Sequence, residues 1–215
     1  MFAVRDLASG LQLAWEPVAD PTTAAVLPVL RRQLTVAGAP LVLKSDNGSA
    51  FRADHLKWFL RDWQVWPLYS PPGRPSYNGA IEASIGSLKT RTQYAAYRAG
   101  HEGAWTTPDL DLARDLANTS ARPRGPRGPT PAEIWEARRA PRASEREAFV
   151  AQVGQAEATA RQEAGIPLEA LLDHYEQAAL HRRVLPQVLM EGGYLTIRRR
   201  RIPQRFFGRK VANIT

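Results

Sequence analysis

Two acidic residues sit where side chains can do chemistry. Asp46 follows the short apolar run Leu41-Val42-Leu43, within Lys44-Ser45-Asp46-Asn47-Gly48-Ser49-Ala50-Phe51. Glu82 opens a helical stretch just after the loop Ser70-Pro71-Pro72-Gly73-Arg74-Pro75-Ser76-Tyr77-Asn78-Gly79. A carboxylate at a strand end and another on a facing helix can meet although 35 residues separate them. Such a pair supplies hard oxygen ligands for Mg²⁺ or Mn²⁺, the cations that phosphoryl transfer uses. Each acid also has an ordinary reading. Asp-Asn-Gly is a turn former, and a Glu in the first turn favours the helix dipole. The spacing alone decides nothing, because acids are common.

The helix carrying Glu82 has two faces. Ile81, Ile85 and Leu88 follow i, i+4, i+7 and should pack on a sheet. Glu82, Gly86 and Lys89 repeat that spacing on an adjacent face, where Lys89 is either a phosphate contact or a solvated lysine. Asn78-Gly79 is placed to cap the helix, and Arg74 in the loop is a substrate contact or a solvent-facing side chain.

These residues need elements to hold them. Met1 to Asp6 and Leu11 to Val18 read as strands joined by a turn at Ala8-Ser9-Gly10. A helix is expected over 21–37, then the buried strand 41–43, a helix near 52–63 and a strand over 65–69. Helices follow at 80–98 and 108–118, then an extended linker over 121–131. Three more helical stretches are expected at 132–139, 144–164 and 168–181. A small β element around Gly193-Tyr194-Leu195-Thr196-Ile197 would carry the last arginines. Strands alternating with helices imply an α/β sheet, with functional groups at the carboxyl ends of its strands.

The combined pattern is specific. Ser-Asp-Asn-Gly-Ser-x-Phe, a Ser-Pro-Pro-Gly-x-Pro loop and Asn-Gly-x-Ile-Glu-x-x-x-Gly-x-x-Lys resemble the retroviral-type integrase and DDE transposase superfamily, as found in insertion sequences. The resemblance spans about residues 1–139, from Ala3-Val4-Arg5-Asp6 through Asn118 to Ile134-Trp135. It implies a ribonuclease H-like mixed sheet flanked by helices. It also implies DNA integration or transposition, by metal-dependent phosphoryl transfer that nicks and joins DNA ends. Asp46 and Glu82 would be catalytic metal ligands for Mg²⁺ or Mn²⁺, two ions in an intact site. Lys89, Arg74 and Asn78 would contact DNA, and a homo-multimer is implied by the family.

The sequence departs from that pattern at one point. The family places a first carboxylate on a strand ahead of the hairpin, in the middle of the sheet, and this sequence begins at the hairpin. The expectation is a sheet without that strand, leaving unpaired backbone on two strands. The chain as given would then be inactive, whether from a truncated or interrupted element or from a start codon called too late. Asp6 is expected near the hairpin turn, away from the site.

Net charge adds a second feature. Residues 1–181 hold 20 Lys/Arg against 20 Asp/Glu, whereas residues 182–215 hold nine basic residues and one acid. Arg198, Arg199, Arg200 and Arg201 lead that segment, whose expected partner is the DNA backbone. The expected domains are a catalytic core over 1–139, a helical connector over 140–181 and a basic DNA-binding segment over 182–215. The absence of cysteine excludes disulfides and thiolate zinc sites. His174 and His181 are expected at the surface, and no zinc is expected. No run is long and apolar enough for a membrane helix, so the expected location is cytoplasmic, nucleoid-associated in a bacterium. Two other functions fit the sequence: a DNA-binding remnant that regulates an intact transposase, and a ribonuclease H-fold nuclease with no joining step.

Overall fold

A computed structural model describes residues 1–197. Its strands form two pairs of opposite sense. β1 (Phe2–Arg5) and β2 (Gln12–Glu16) are antiparallel, with Ala3 opposite Trp15 and Val4 opposite Ala14. β3 (Val42–Ser45) and β4 (Trp66–Tyr69) are parallel, from Val42 beside Trp66 to Ser45 beside Tyr69. No ladder joins the two pairs among the described residues. This has a cost for β3. Its apolar run predicts burial on both faces, yet all four residues are only half-buried, because β4 covers one edge and no described strand covers the other.

Side chains alternate across the strands with period two, and each face meets its own helices. Ala3 and Trp15 pack with Leu88, Leu110 and Ala117. Phe2, Val4 and Leu43 point to a second core built on Val26, Leu30, Leu56, Phe59 and Leu60. Val42, Trp66 and Leu68 face a third, with Phe149, Val153, Val184, Leu185 and Val188. Full burial of one such side chain stabilises the fold by about 1.5–3 kcal/mol.

The helices begin where capping chemistry allows. α1 (Thr23–Ala37) starts at Thr22, whose hydroxyl accepts from Ala25 N–H, and stops at Gly38 with φ of 81°. The single helix expected near 52–63 is two: α2 (Ser49–Arg52) and α3 (Asp54–Asp62). Ala53 between them is extended, so α2 follows the turn after Asp46 while α3 keeps Leu56, Phe59 and Leu60 on the core. α4 (Gly79–Arg98) packs against α5 (Thr107–Thr119), and α6 (Pro131–Glu136) follows the irregular linker. Asn118 on α5 ties down the free edge of β2: its amide donates to Gln12 O and accepts from Gln12 N–H, at 3.0 and 2.8 Å.

The third core comes from α7 (Ala143–Glu163) and α8 (His174–Glu191), which cover the β3–β4 pair. Arg146 on α7 donates to the carbonyls of Ala39, Pro40 and Gln64, ahead of both strands, and burial lowers its pKa. A helix over 168–181 is not what forms. Arg161 donates to the carbonyls of Pro167, Leu168 and Ala170, which holds that stretch irregular. Asp173 then accepts from Tyr175 and Glu176 N–H, so the helix starts at His174 and runs on through Pro186 to Glu191. Arg182 and Arg183 therefore belong to a helix. Gly193 to Ile197 form no strand; Tyr194 N–H instead closes the helix end on Leu189 O. Arg198, Arg199, Arg200 and Arg201 lie outside the described residues. Among the described residues no helix is long and apolar enough to cross a membrane.

Glu145 at the start of α7 makes a pH prediction. It accepts two bonds from the Arg139 guanidinium and one from Arg142 N–H, which hold its pKa at about 2. A depressed carboxylate pKa stabilises the fold above its unfolded value, near 4.5, and that contribution fades as pH falls through about 2. Thermal melts of wild type and Glu145→Gln should differ by a constant amount from pH 7 to 5 and converge towards pH 2. A gap that stays constant down to pH 2 would assign the effect to the neutral hydrogen bonds.

Candidate active site

Asp46 is the first residue beyond the carboxyl end of β3, and its side chain is exposed. One carboxylate oxygen accepts from Gly48 N–H at 2.8 Å, so the Asp-Asn-Gly turn does form and it turns the acid outward. The next residue fixes the turn to the neighbouring strand. Asn47 Nδ2 donates to Ser70 O, while Ser70 N–H and Oγ–H both donate to Ser45 O, at 3.0 and 2.9 Å.

Glu82 is held by the residues on either side of it. Arg5 Nη1 donates to Ala80 O at 2.7 Å, and Ser84, buried, donates to Gln12 Oε1 at 2.7 Å. The hairpin thus fixes the first two turns of α4, one point on each, and leaves Glu82 exposed between them. Lys44 anchors the loop before α4. Its ammonium donates to Tyr77 O and lies 4.0 Å from the Tyr77 ring centroid, and burial lowers its pKa.

Asp46 and Glu82 line the same cleft, of about 530 Å³, together with Asn47 and the loop from Ser70 to Arg74. Asn78, Arg52 and Tyr175 complete its walls. Neither acid is paired with a Lys, Arg or His among the described residues. Two carboxylates on one cleft, without salt-bridge partners among the described residues, offer hard oxygen donors. One or two carboxylates with water and phosphate suffice for a Mg²⁺ ion, so the residues present fit one. Among the described residues no three His, Cys, Asp or Glu side chains converge on a metal position.

The other expected site residues divide. Arg74 and Asn78 lie on the cleft. Asn78 does not cap α4 with its side chain: a 3-10 turn over Pro75–Asn78 runs straight into the helix, without the extended backbone a capping side chain needs. Lys89 is exposed two turns beyond Glu82 and is not among the cleft residues. On the inner face of α4, Leu88 is fully buried and Ile85 partly so. Asp6 is a turn residue, accepting from Ser9 N–H and Oγ–H at 2.7 and 2.6 Å.

His181 is buried, not at the surface. Nδ1 meets Pro67 O at 3.0 Å and Nε2 meets Glu157 at 3.0 Å, because α7 covers that side of α8. Arg52 and Tyr175 are cleft residues that motif reading does not find. Arg52 closes α2, shortly after Asp46, and had a local signal. Tyr175 arrives only because α8 packs on β4.

The described fold can be placed among known structures. The BIV integrase catalytic core domain superposes with a TM-score of 0.51 at 25% identity, over 63% of this chain and 84% of that one. The fold is that of an integrase-type catalytic core. It is ribonuclease H-like, a mixed α/β architecture, and its strands are few beside its helices. The HTLV-2 integrase catalytic core domain in complex with magnesium matches at TM-score 0.51 and 18% identity, over 60% of this chain and 80% of that one. The integrase of a simian T-cell lymphotropic virus intasome, in complex with PP2A regulatory subunit B56 gamma, matches at TM-score 0.57 and 19% identity. There the match covers 65% of this chain and 49% of that one. No protein-family model and no curated protein matches the sequence.

Proposed function

We propose that this integrase-type core acts on DNA by metal-dependent phosphoryl transfer, in integration or transposition. One observation carries the reading: Asp46 and Glu82, from two distant elements, line one cleft, and among the described residues neither has a salt-bridge partner. When bound there, Mg²⁺ or Mn²⁺ would supply Lewis-acid activation of the attacking oxygen and charge relief at the leaving one. The chain's own part is positional. Asp46 and Glu82 would hold the cation, and the Ser70–Ser45 bonds keep the first acid in register with the loop. Arg74 and Asn78 face the substrate phosphates from that loop. Lys89, farther along α4, and Arg198 to Arg201 would meet the DNA backbone beyond the cleft, without reading its sequence. Processing two DNA ends together would need a multimer, and the HTLV-2 integrase catalytic core domain is solved in dimeric and trimeric forms.

A second reading has its own support. Only two acids line the cleft among the described residues, and a second ion would need further oxygen ligands. The chain would then bind DNA ends without chemistry. Incubating the full chain with end-labelled duplex and Mg²⁺, then Mn²⁺, separates these readings. Nicked and joined products support transposition or integration; nicks alone indicate a nuclease; binding with neither product leaves the regulator. Absence of DNA binding under low salt would remove all three.

A further inference from the structure

One wall of the cleft comes from outside residues 1–139. Tyr175, the second residue of α8, reaches the cleft that holds Asp46 and Glu82 and keeps more than half of its surface exposed. An exposed tyrosine is commonly just solvated, but this one is held in place from three sides. Arg52 Nη1 donates to its hydroxyl at 3.2 Å. Its backbone N–H donates to Asp173 at 2.7 Å. The His174 ring packs edge-on between the rings of Tyr69 and Tyr175, with centroids at 4.8 and 5.3 Å.

Cationic side chains lie close by, with Asp46 and Glu82 on the same cleft. Burial first, and then the charges of Lys57, Arg52 and Arg182 against that of Asp173, hold His174 below the usual histidine range. Lys57 is partnered by Asp54 at 2.9 Å, and Arg182 donates to Tyr69 O at 3.3 Å. Among the described residues Arg52 has no carboxylate partner, and its buried Nε has no hydrogen-bond partner. A guanidinium with spare donors beside a fixed aromatic face matches a phosphate followed by a base.

We propose that Tyr175 is a stacking platform for an unpaired nucleobase, with Arg52 holding the adjoining phosphate. The inference rests on the DNA-processing reading and deepens it: the cleft would take a DNA end whose terminal bases have left the duplex. A paired base has both faces covered by its neighbours, and only an extruded or single-stranded one can offer a face to Tyr175. Arg52 would serve two purposes, fixing the tyrosine hydroxyl with one amine and the phosphate with another.

The test uses the full chain and two DNA probes, a blunt duplex and the same duplex with three unpaired terminal nucleotides, one of them 2-aminopurine. Fluorescence anisotropy reads affinity, and 2-aminopurine quenching reads stacking. Wild type and Tyr175→Phe should favour the unpaired end and quench the probe. Tyr175→Ala should lose roughly 5- to 100-fold in affinity for the unpaired end, lose the quenching, and bind the blunt duplex as wild type does. Equal affinity of Tyr175→Ala and wild type for the unpaired end would overturn the stacking role, as would an equal loss on both probes. Failure of wild type to bind either DNA would instead overturn the DNA-processing reading itself.

Discussion

Asp46→Asn and Glu82→Gln should each abolish tight Mn²⁺ binding by the full chain while leaving it folded. Both substitutions keep the shape of the side chain and remove its charge. In Asp46→Asn the amide oxygen can still accept from Gly48 N–H, so the turn after β3 survives. Glu82 is exposed, and the anchors that hold its helix, Arg5 to Ala80 and Ser84 to Gln12, are untouched. Calorimetric titration with Mn²⁺ is the primary readout, since it does not depend on turnover. Where DNA cutting or joining is observed, the same changes should lower it by about 10²- to 10⁴-fold. That is the scale of several kcal/mol of charge stabilisation at 1.36 kcal/mol per tenfold. Asp6→Asn is the control, because Asp6 is spent on the hairpin turn. Mn²⁺ binding unchanged in both variants would mean that the two acids share a cleft without sharing an ion.

What the sequence revealed about this site depended on how local each feature is. Asp46, its turn and the strand before it lie within a few consecutive residues, so apolar run, acid and Asx turn could be read together. Glu82 was legible for the same reason, as the first acid after a Pro-Gly loop. The cap expected at Asn78 was not there. A 3-10 turn leads into the helix, and composition does not distinguish that start from a capped one. β3 read as doubly buried because periodicity reports apolarity, whereas exposure follows from which neighbours are present. Tyr175 had no signal at all. More than 100 residues separate it from Arg52, and only the docking of α8 on β4 brings them together.

That docking can be tested through one residue. Leu185 is fully buried on α8, packed with Leu41, Leu68, Phe149 and Val153 between the helices and the parallel strands. Leu185→Ala removes its contacts and leaves a cavity that neighbours from three elements can only partly fill, so the cost should be about 2–5 kcal/mol. Against a total stability on the order of 5–15 kcal/mol, the urea midpoint should fall by on the order of 1–2 M. Val36→Ala, on the exposed side of α1, should move it hardly at all. The form of the unfolding curve carries the structural content. A single shifted transition would mean that α7 and α8 fold as one unit with the β3–β4 pair, and that the cleft wall at Tyr175 shares the stability of the core. An early transition that removes helix signal, followed by one at the wild-type midpoint, would mean that the two helices dock onto a core already stable without them. In that case Leu185→Ala should also weaken binding of an unpaired DNA end, as is expected of Tyr175→Ala, even in buffer where the rest of the chain stays folded.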